Sequence, residues 1–345
     1  MINPGYKYIR LLIFCSTLTI SLSFFGTALA IDDGARAYWK GREGTNVVSF
    51  QYLNLNMQAS DTQQFDPSQF IYPNSDTEAH VMIATWARHM TLLNRASSFT
   101  VNLIGGSVDL DADTSSMPSG FSPQGGPQGG SLHQSASGYA DPTVQFDINL
   151  FGTSQLKSTV DLANYEPTLT LDAAVLAAFP IGKYDGDKLV NMGLNRWYGR
   201  FALPFKYHFG VFDPGRMSSL EITPSVWLFA ENDDFLGQKL ENDPLWQLEA
   251  HLTHDFTRSF FASLDLLYRG GFKSEVNGFE VGEELDIGNL GLTLNYQATD
   301  NINIRTSYSS NVFGDSELDN SIIRLQFVYS WHKLTENQKK LQGGH

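Results

Sequence analysis

Reading back from residue 331, Ile323, Leu325, Phe327, Tyr329 and Trp331 alternate with Arg324, Gln326, Val328 and Ser330. A period of two, with one apolar and one mainly polar face, predicts a β-strand lying between two different environments. The pattern returns upstream. Ile302, Ile304 and Tyr308 oppose Asn303, Arg305, Ser307 and Ser309; Leu290, Leu292, Leu294 and Tyr296 oppose Gly291, Thr293, Asn295 and Gln297. Leu264, Leu266 and Tyr268 oppose Ser263, Asp265 and Arg269, and Trp246, Leu248, Ala250, Leu252 and Phe256 oppose Gln247, Glu249, His251, Thr253 and Asp255. Segments 218–230, 195–209, 167–179 and 142–151 continue the series. Those near 46–58, 79–93 and 97–109 are less regular, and the strand starting at Val47 changes face at Tyr52 and Leu53, as a bulge would cause. The total is about twelve strands.

Segments of this length suit tilted strands crossing a bilayer, which takes roughly 9–11 residues at about 45°. Lipid offers no hydrogen bonds, so every backbone N–H and C=O must pair within the protein, and only a closed sheet leaves no edge. The expected fold class is therefore all-β, a transmembrane antiparallel up-and-down β-barrel. The connections carry an independent test, because outer-membrane barrels keep periplasmic turns short and put long loops outside. With the first strand running outward, the outer connections are 59–78, 110–141, 180–194, 231–243, 271–284 and 312–320, all long and rich in Gly, Pro, Asn or Asp. The inner ones fall near 94–96, 152–166, 210–217, 257–258 and 298–300, and only 152–166 is long. Trp197, Tyr207, Trp246, Tyr268, Tyr296, Tyr329 and Trp331 sit toward strand ends, as an interfacial aromatic girdle would.

The N-terminus fits that compartment. Lys7 and Arg10 precede an apolar run over 11–25, and Ala28, Leu29 and Ala30 form an A-x-A cleavage signal. The expected organisation is a signal peptide over 1–30, a periplasmic N-terminal segment over 31–45, a barrel in the Gram-negative outer membrane over 46–331 and a periplasmic tail over 332–345. The single cysteine, Cys15, leaves with the leader, which removes disulfides, thiolate metal sites and a Cys nucleophile. A net charge of −14 for the whole chain argues against nucleic acid as a partner. The expected partners are outer-membrane lipid, lipopolysaccharide and small-molecule cargo; the oligomeric state is left open.

Assigning the polar faces to the lumen makes Asp147, Asp172, Arg200, Lys206, Glu221, Glu249, His251, Asp265, Arg269, Arg305 and Arg324 candidates for a pore lining, joined by Trp227, Phe229 and Phe261. The opposite assignment would cost roughly 2–4 kcal/mol for each Arg or Lys at the bilayer midplane. Such a lining sets a transverse field that selects permeants; alternatively the same charges pair and fill the barrel. Glu249 and Arg269, on strands joined by the tight turn at 257–258, are the first pair to test. The aromatic side chains would form a greasy path or simply occupy volume.

No cofactor and no metal site is expected. Asp109, Asp111 and Asp113 resemble the start of a Ca²⁺ loop but lack its Gly at position six and Glu at twelve. Glu231, Asp233, Asp234, Glu241 and Asp243 form a second acidic cluster, read as solubilising loop charge or as a divalent bridge to lipopolysaccharide phosphates. The Gly/Pro stretch 118–130 is read as an exposed loop or a cover for the pore mouth. Enzymes acting on lipids use the same architecture with Ser and His on the outer rim. Only His254, on an outward face, suggests one, and no His-x-Ser-Asn-Gly type pattern accompanies it. The chain is therefore read as a non-enzyme.

Six strings carry a family resemblance: Gly138-Tyr139-Ala140-Asp141-Pro142, Phe179-Pro180-Ile181-Gly182-Lys183-Tyr184-Asp185, Leu194-Asn195-Arg196-Trp197, Glu231-Asn232-Asp233-Asp234, Asp243-Pro244-Leu245-Trp246-Gln247-Leu248-Glu249 and Tyr268-Arg269-Gly270-Gly271. In this order, over roughly 46–331, they resemble the outer-membrane family of the MetA-pathway of phenol degradation. The resemblance implies a barrel porin or transporter for small molecules, hydrophobic or aromatic ones among them. The loop 118–130 and the tail after Trp331 depart from it. A barrel with a closed lumen, serving structure alone, is the further alternative.

Overall fold

A computed structural model describes residues 32–59, 74–113, 130–158, 160–161, 164–211, 213, 215–314 and 318–332. The expected signal peptide, most of loop 118–130 and the tail beyond His332 lie outside the described residues.

The strands are β1 (Asn46–Ala59), β2 (Ser75–Leu92), β3 (Arg95–Asp113), β4 (Ser131–Tyr139), β5 (Thr143–Phe151), β6 (Leu169–Ala178), β7 (Tyr198–Ala202), β8 (Phe205–Phe209) and β9 (Ser218–Phe229). They continue with β10 (Asn232–Phe235), β11 (Gln238–Asn242), β12 (Leu245–Thr257), β13 (Phe260–Gly271), β14 (Ser274–Val276), β15 (Phe279–Val281), β16 (Leu285–Gln297), β17 (Ile302–Phe313) and β18 (Leu318–Trp331). β4 and β5 lie end to end along β3. Likewise, β7 and β8 lie end to end between β6 and β9. Each break sits beside a proline, Pro142 or Pro204, which has no N–H for the ladder. With each such pair counted once, the wall is a closed antiparallel barrel of twelve strands. β18 returns to β1 in an unbroken register from Asn46↔Trp331 to Ala59↔Leu318.

The loop parity expected from the sequence is the one found. The two-residue turn Leu93-Asn94 and the short links after β12 and β16 lie at the end of the barrel where β1 begins. Most of the longer connections lie at the other end, and the link between β5 and β6 is the long exception that the sequence led one to expect. Two of those, expected as irregular loops, are folded instead: β10, β11, β14 and β15 form a separate four-stranded antiparallel sheet. Its hairpins turn on Leu236-Gly237 (φ 51° and 71°) and Asn277-Gly278 (φ 51° and 81°). Two left-handed central residues match the right-handed twist of flanking strands. β4 occupies part of another expected loop, 110–141.

The bulge expected at Tyr52 and Leu53 is absent. β1 pairs with β2 and β18 without a register shift, and Ser49, Gln51, Leu53, Leu55 and Met57 all point inward. What changes is the chemistry of the interior. In the half nearest the described N-terminus the inward face is polar; farther up it becomes an apolar cluster that includes Leu53, Leu55, Val81, Leu110, Ile287 and Ile322. Outward, Phe50, Met82, Leu103, Leu228, Leu264, Leu292 and Phe327 are exposed in a continuous apolar belt, and Trp197, Trp246 and Tyr296 are exposed toward its margins.

Candidate functional site

Strand alternation delivers the inward charges in rows. Along β12, Gln247, Glu249, His251, Thr253 and Asp255 are all buried, while Leu252 between them is exposed. Their neighbours on β9 and β13, Glu221 and Asp265, stand opposite His251 on either side. Of the sequence candidates, Asp147, Asp172, Arg200, Lys206, Glu221, Trp227, Glu249, His251, Phe261, Asp265, Arg269 and Arg324 are buried, and Phe229 and Arg305 are half-buried. Phe229 stands apart from the charged layer. It meets Phe272 edge-on at 4.8 Å in the apolar half.

The charged side chains are drawn together by a segment whose position gave no such signal. Residues 32–40, expected to lie on the periplasmic side, run among the inward-facing wall side chains. Asp33 accepts from Arg200 at 2.7 Å, and the Asp33 amide donates to Glu249 at 3.0 Å. Arg36 reaches Asp255 at 2.6 Å and lies over Phe261 at 3.9 Å; its amide donates to Glu221 at 2.9 Å. Trp39 donates its indole N–H to the same Glu221 at 2.8 Å, and Arg305 donates to the Ala35 carbonyl at 2.8 Å. Asp32 pairs with Arg324, and Lys40 with Asp147; Asp172 lies 3.6 Å from Lys40 and receives Lys206 at 2.8 Å. Wall and segment thus satisfy each other's charges, as buried ions require. Burial nevertheless pushes the Lys40 amine down to about 8, against the pull of Asp172, and raises the Tyr38 phenol well above its usual value.

The pair expected between Glu249 and Arg269 is not directly cross-strand. The register sets Arg269 across from Gln247, and Glu249 across from Leu267. Glu249 faces Arg200 at 3.7 Å and His251 at 3.6 Å.

Beside the segment a cavity of about 360 Å³ remains. Its lining mixes Trp39, Tyr198, Trp227, Ile83 and Ile104 with Asp147, Arg200, Gln145 and Thr100. Trp227 is held by its indole N–H on Gln247 at 3.1 Å and by Arg200, 5.1 Å from its ring centre.

The remaining candidates lie elsewhere. Asp111 meets His133 at 2.9 Å on an exposed hairpin. Glu231 and Glu241 share Lys239 at 2.5 and 3.0 Å, so part of the second acidic cluster is neutralised from within. His254, exposed on the outer face, has Ser218 as its hydrogen-bond partner at 2.8 Å. Four of the six family strings meet at the longer-loop end. Asp141 accepts from the Gly182 and Leu194 amides, each at 2.8 Å, and Asn232 bonds Asn195 at 3.0 Å and Tyr184 at 2.9 Å. Those strings therefore fasten the outer connections to the wall.

Comparison with known proteins is consistent with this architecture. The outer membrane channel COG4313 from Pseudomonas putida F1 superposes with a TM-score of 0.64 at 15% identity, covering 87% of this chain and 100% of that one. The beta domain of the Bordetella autotransporter Brka gives 0.45 at 10% identity over 84% and 100%, and the NanC porin 0.41 at 8% over 81% and 98%. No curated protein matches. Residues 60–317 match the model of the family described as "Putative MetA-pathway of phenol degradation", and the chain belongs to that family.

Proposed function

We propose that this barrel is an outer-membrane channel for small molecules, hydrophobic or aromatic in character, in which the segment 32–40 stands as a movable filling of the lumen. One observation carries the reading. The closed wall encloses a charged layer that docks its own chain through side-chain ion pairs, beside a cavity rimmed by aromatic residues. At about 360 Å³ that cavity is more than twice the roughly 150 Å³ that accommodates benzene in an engineered apolar core. Trp39, Tyr198 and Trp227 offer ring faces, while Thr100, Asn102 and Gln145 offer hydrogen bonds to one polar group on a cargo molecule. The apolar cluster above the charged layer extends the same preference toward the outer end. Deletion of the gene is expected to slow growth on a limiting hydrophobic aromatic and to leave growth on acetate unchanged; equal growth on both would remove the cargo assignment.

The Ser218–His254 hydrogen bond favours a second reading, a lipid-acting enzyme on the outer rim. Against it, among the described residues no carboxylate pairs with His254 to orient the ring, as a triad requires. Lipase activity of the purified protein that is lost in His254→Ala would reverse the preference.

A further inference from the structure

Where the segment first meets the wall, three ligand-type side chains converge. A carboxylate oxygen of Asp32, one of Glu249 and a ring nitrogen of His251 lie within 4.8 Å of one another. Acidic clusters are common without a metal, so the state of the histidine decides what this one is. His251 is 3% exposed. Its Nδ1 is engaged by Asp265 at 2.7 Å, and Asp265 is itself held by the hydroxyls of Ser263 and Thr293, each at 2.5 Å. Its Nε2 has no hydrogen-bond partner and stands 3.6 Å from Glu249 Oε2.

That arrangement is the one a metal-ligating histidine adopts. A carboxylate accepting from Nδ1–H fixes the ring's orientation and raises the basicity of Nε2, which faces Glu249 and would exchange its proton for a metal ion. A buried ring nitrogen without a hydrogen-bond partner is otherwise costly. In a tetrahedral site with bonds of about 2.0–2.1 Å, neighbouring ligand atoms are roughly 3.3 Å apart. The His251–Glu249 separation is already close to that edge, and an oxygen of Asp32, whose carboxylate also receives Arg324, lies within 4.8 Å of both. Glu249 Oε2 also accepts the Asp33 amide, and its second oxygen accepts the Gln247 amide.

We propose that Asp32, Glu249 and His251 form a site for one divalent transition-metal ion of the Zn²⁺ class, with Asp265 as the positioning residue behind His251. One imidazole and two carboxylates suit Zn²⁺ and its neighbours, whereas Mg²⁺ favours all-oxygen octahedra that retain several waters. The ion joins a corner in which Asp32, Asp33, Glu249 and Asp265 already face Arg324, Arg200 and His251. Because Asp32 belongs to the luminal segment and the other two ligands to β12, the ion bonds filling to wall. Any proton held by the cluster is released when the ion binds.

The test uses the untagged chain without residues 1–30, folded in detergent, stripped with chelator and titrated with Zn²⁺ by calorimetry at pH 7. The expected result is one tight Zn²⁺ per chain, weakened at least tenfold by His251→Gln and by Asp32→Asn, with a hundredfold excess of Mg²⁺ failing to compete. Heat-modifiable gel migration reports barrel folding, and Asp32→Asn lies outside the wall strands, so loss of binding there is not loss of the barrel. His133→Gln, which removes the exposed pair with Asp111, is expected to leave the tight step intact. No Zn²⁺ uptake by the wild type, or equal uptake by both ligand variants, would overturn the proposal.

Discussion

Replacing Arg36 by alanine is the most direct test of a docked, movable luminal segment. The guanidinium donates to Asp255 at 2.6 Å and to Thr253 at 3.1 and 3.3 Å, and it covers Phe261 at 3.9 Å and Trp39 at 4.3 Å. Asp255 is only 10% exposed in its side chain, so truncating Arg36 strands a carboxylate rather than returning it to water. Breaking a buried pair on one side costs about 3–5 kcal/mol when nothing else compensates. Here the Gly215 amide, 3.4 Å from Asp255, offsets a little, and the lost ring contacts add about 0.5–1 kcal/mol. The net cost to docking is about 4 kcal/mol, or on the order of a thousandfold in the ratio of undocked to docked states. Single-channel recording in planar bilayers reads that ratio as the fraction of time spent in the larger conductance. Arg42, whose guanidinium reaches the exposed Lys157 carbonyl at 3.3 Å, serves as control, and Arg42→Ala is expected to change the ratio by less than about threefold. If Arg36→Ala folds but opens no more often than the wild type, or if Arg42→Ala opens as often, the segment is not held as argued.

Two further outcomes follow from the same structure. Leu264, exposed at mid-strand and flanked by Leu252 and Leu292, faces the apolar belt, so Leu264→Arg is expected to lower the unfolding free energy in lipid by roughly 2–4 kcal/mol; a neutral result by urea titration in vesicles would show that this face does not meet hydrocarbon. For Lys40, burial lowers the amine from 10.5 to about 8. Between those values the undocked state binds more protons, so docking strengthens as pH rises. From pH 7.5 to 9.5 the open fraction of Arg36→Ala should fall by about twentyfold, and a rise would contradict the assigned burial of Lys40.

The wall was legible because lipid imposes one rule on every strand. His251 could be placed indoors from sequence alone, since Leu252 beside it belongs to the opposite parity and one of the two must face hydrocarbon. The same rule says nothing where both faces are apolar. In β1, Leu53, Leu55 and Met57 look like a change of face, yet they keep the inward parity and line the apolar half of the lumen. The four-stranded sheet had a signal in the sequence: Asn277-Gly278 lies between Val276 and Phe279, a hairpin cue inside the connection 271–284 expected as a loop. Residues 32–40 had no period to read. Their one clue is composition, with two aspartates, Arg36, Tyr38, Trp39 and Lys40 crowded together, acids and bases complementary to a wall that also carries both signs.

That complementarity bears on why the filling is charged. Packing the lumen with leucine would hold a segment more firmly, because a buried ion pair repays little of its own desolvation and is often outdone by apolar side chains of similar volume. The weakness is asymmetric. Removing one partner leaves an unpaired ion indoors at full cost, whereas withdrawing the whole segment returns Asp33, Arg36 and Lys40 to water and lets water reach Arg200, Asp255 and Asp147 as well. Undocking therefore exchanges solvation for pairing at a small net difference, while each single contact looks indispensable when mutated alone. A structural plug gains nothing from such a balance. A filling that must leave and return does, because the charges that hold it in place also make the vacated lumen wettable, and the aromatic rims of Trp227 and Tyr198 stay on the wall to meet what passes.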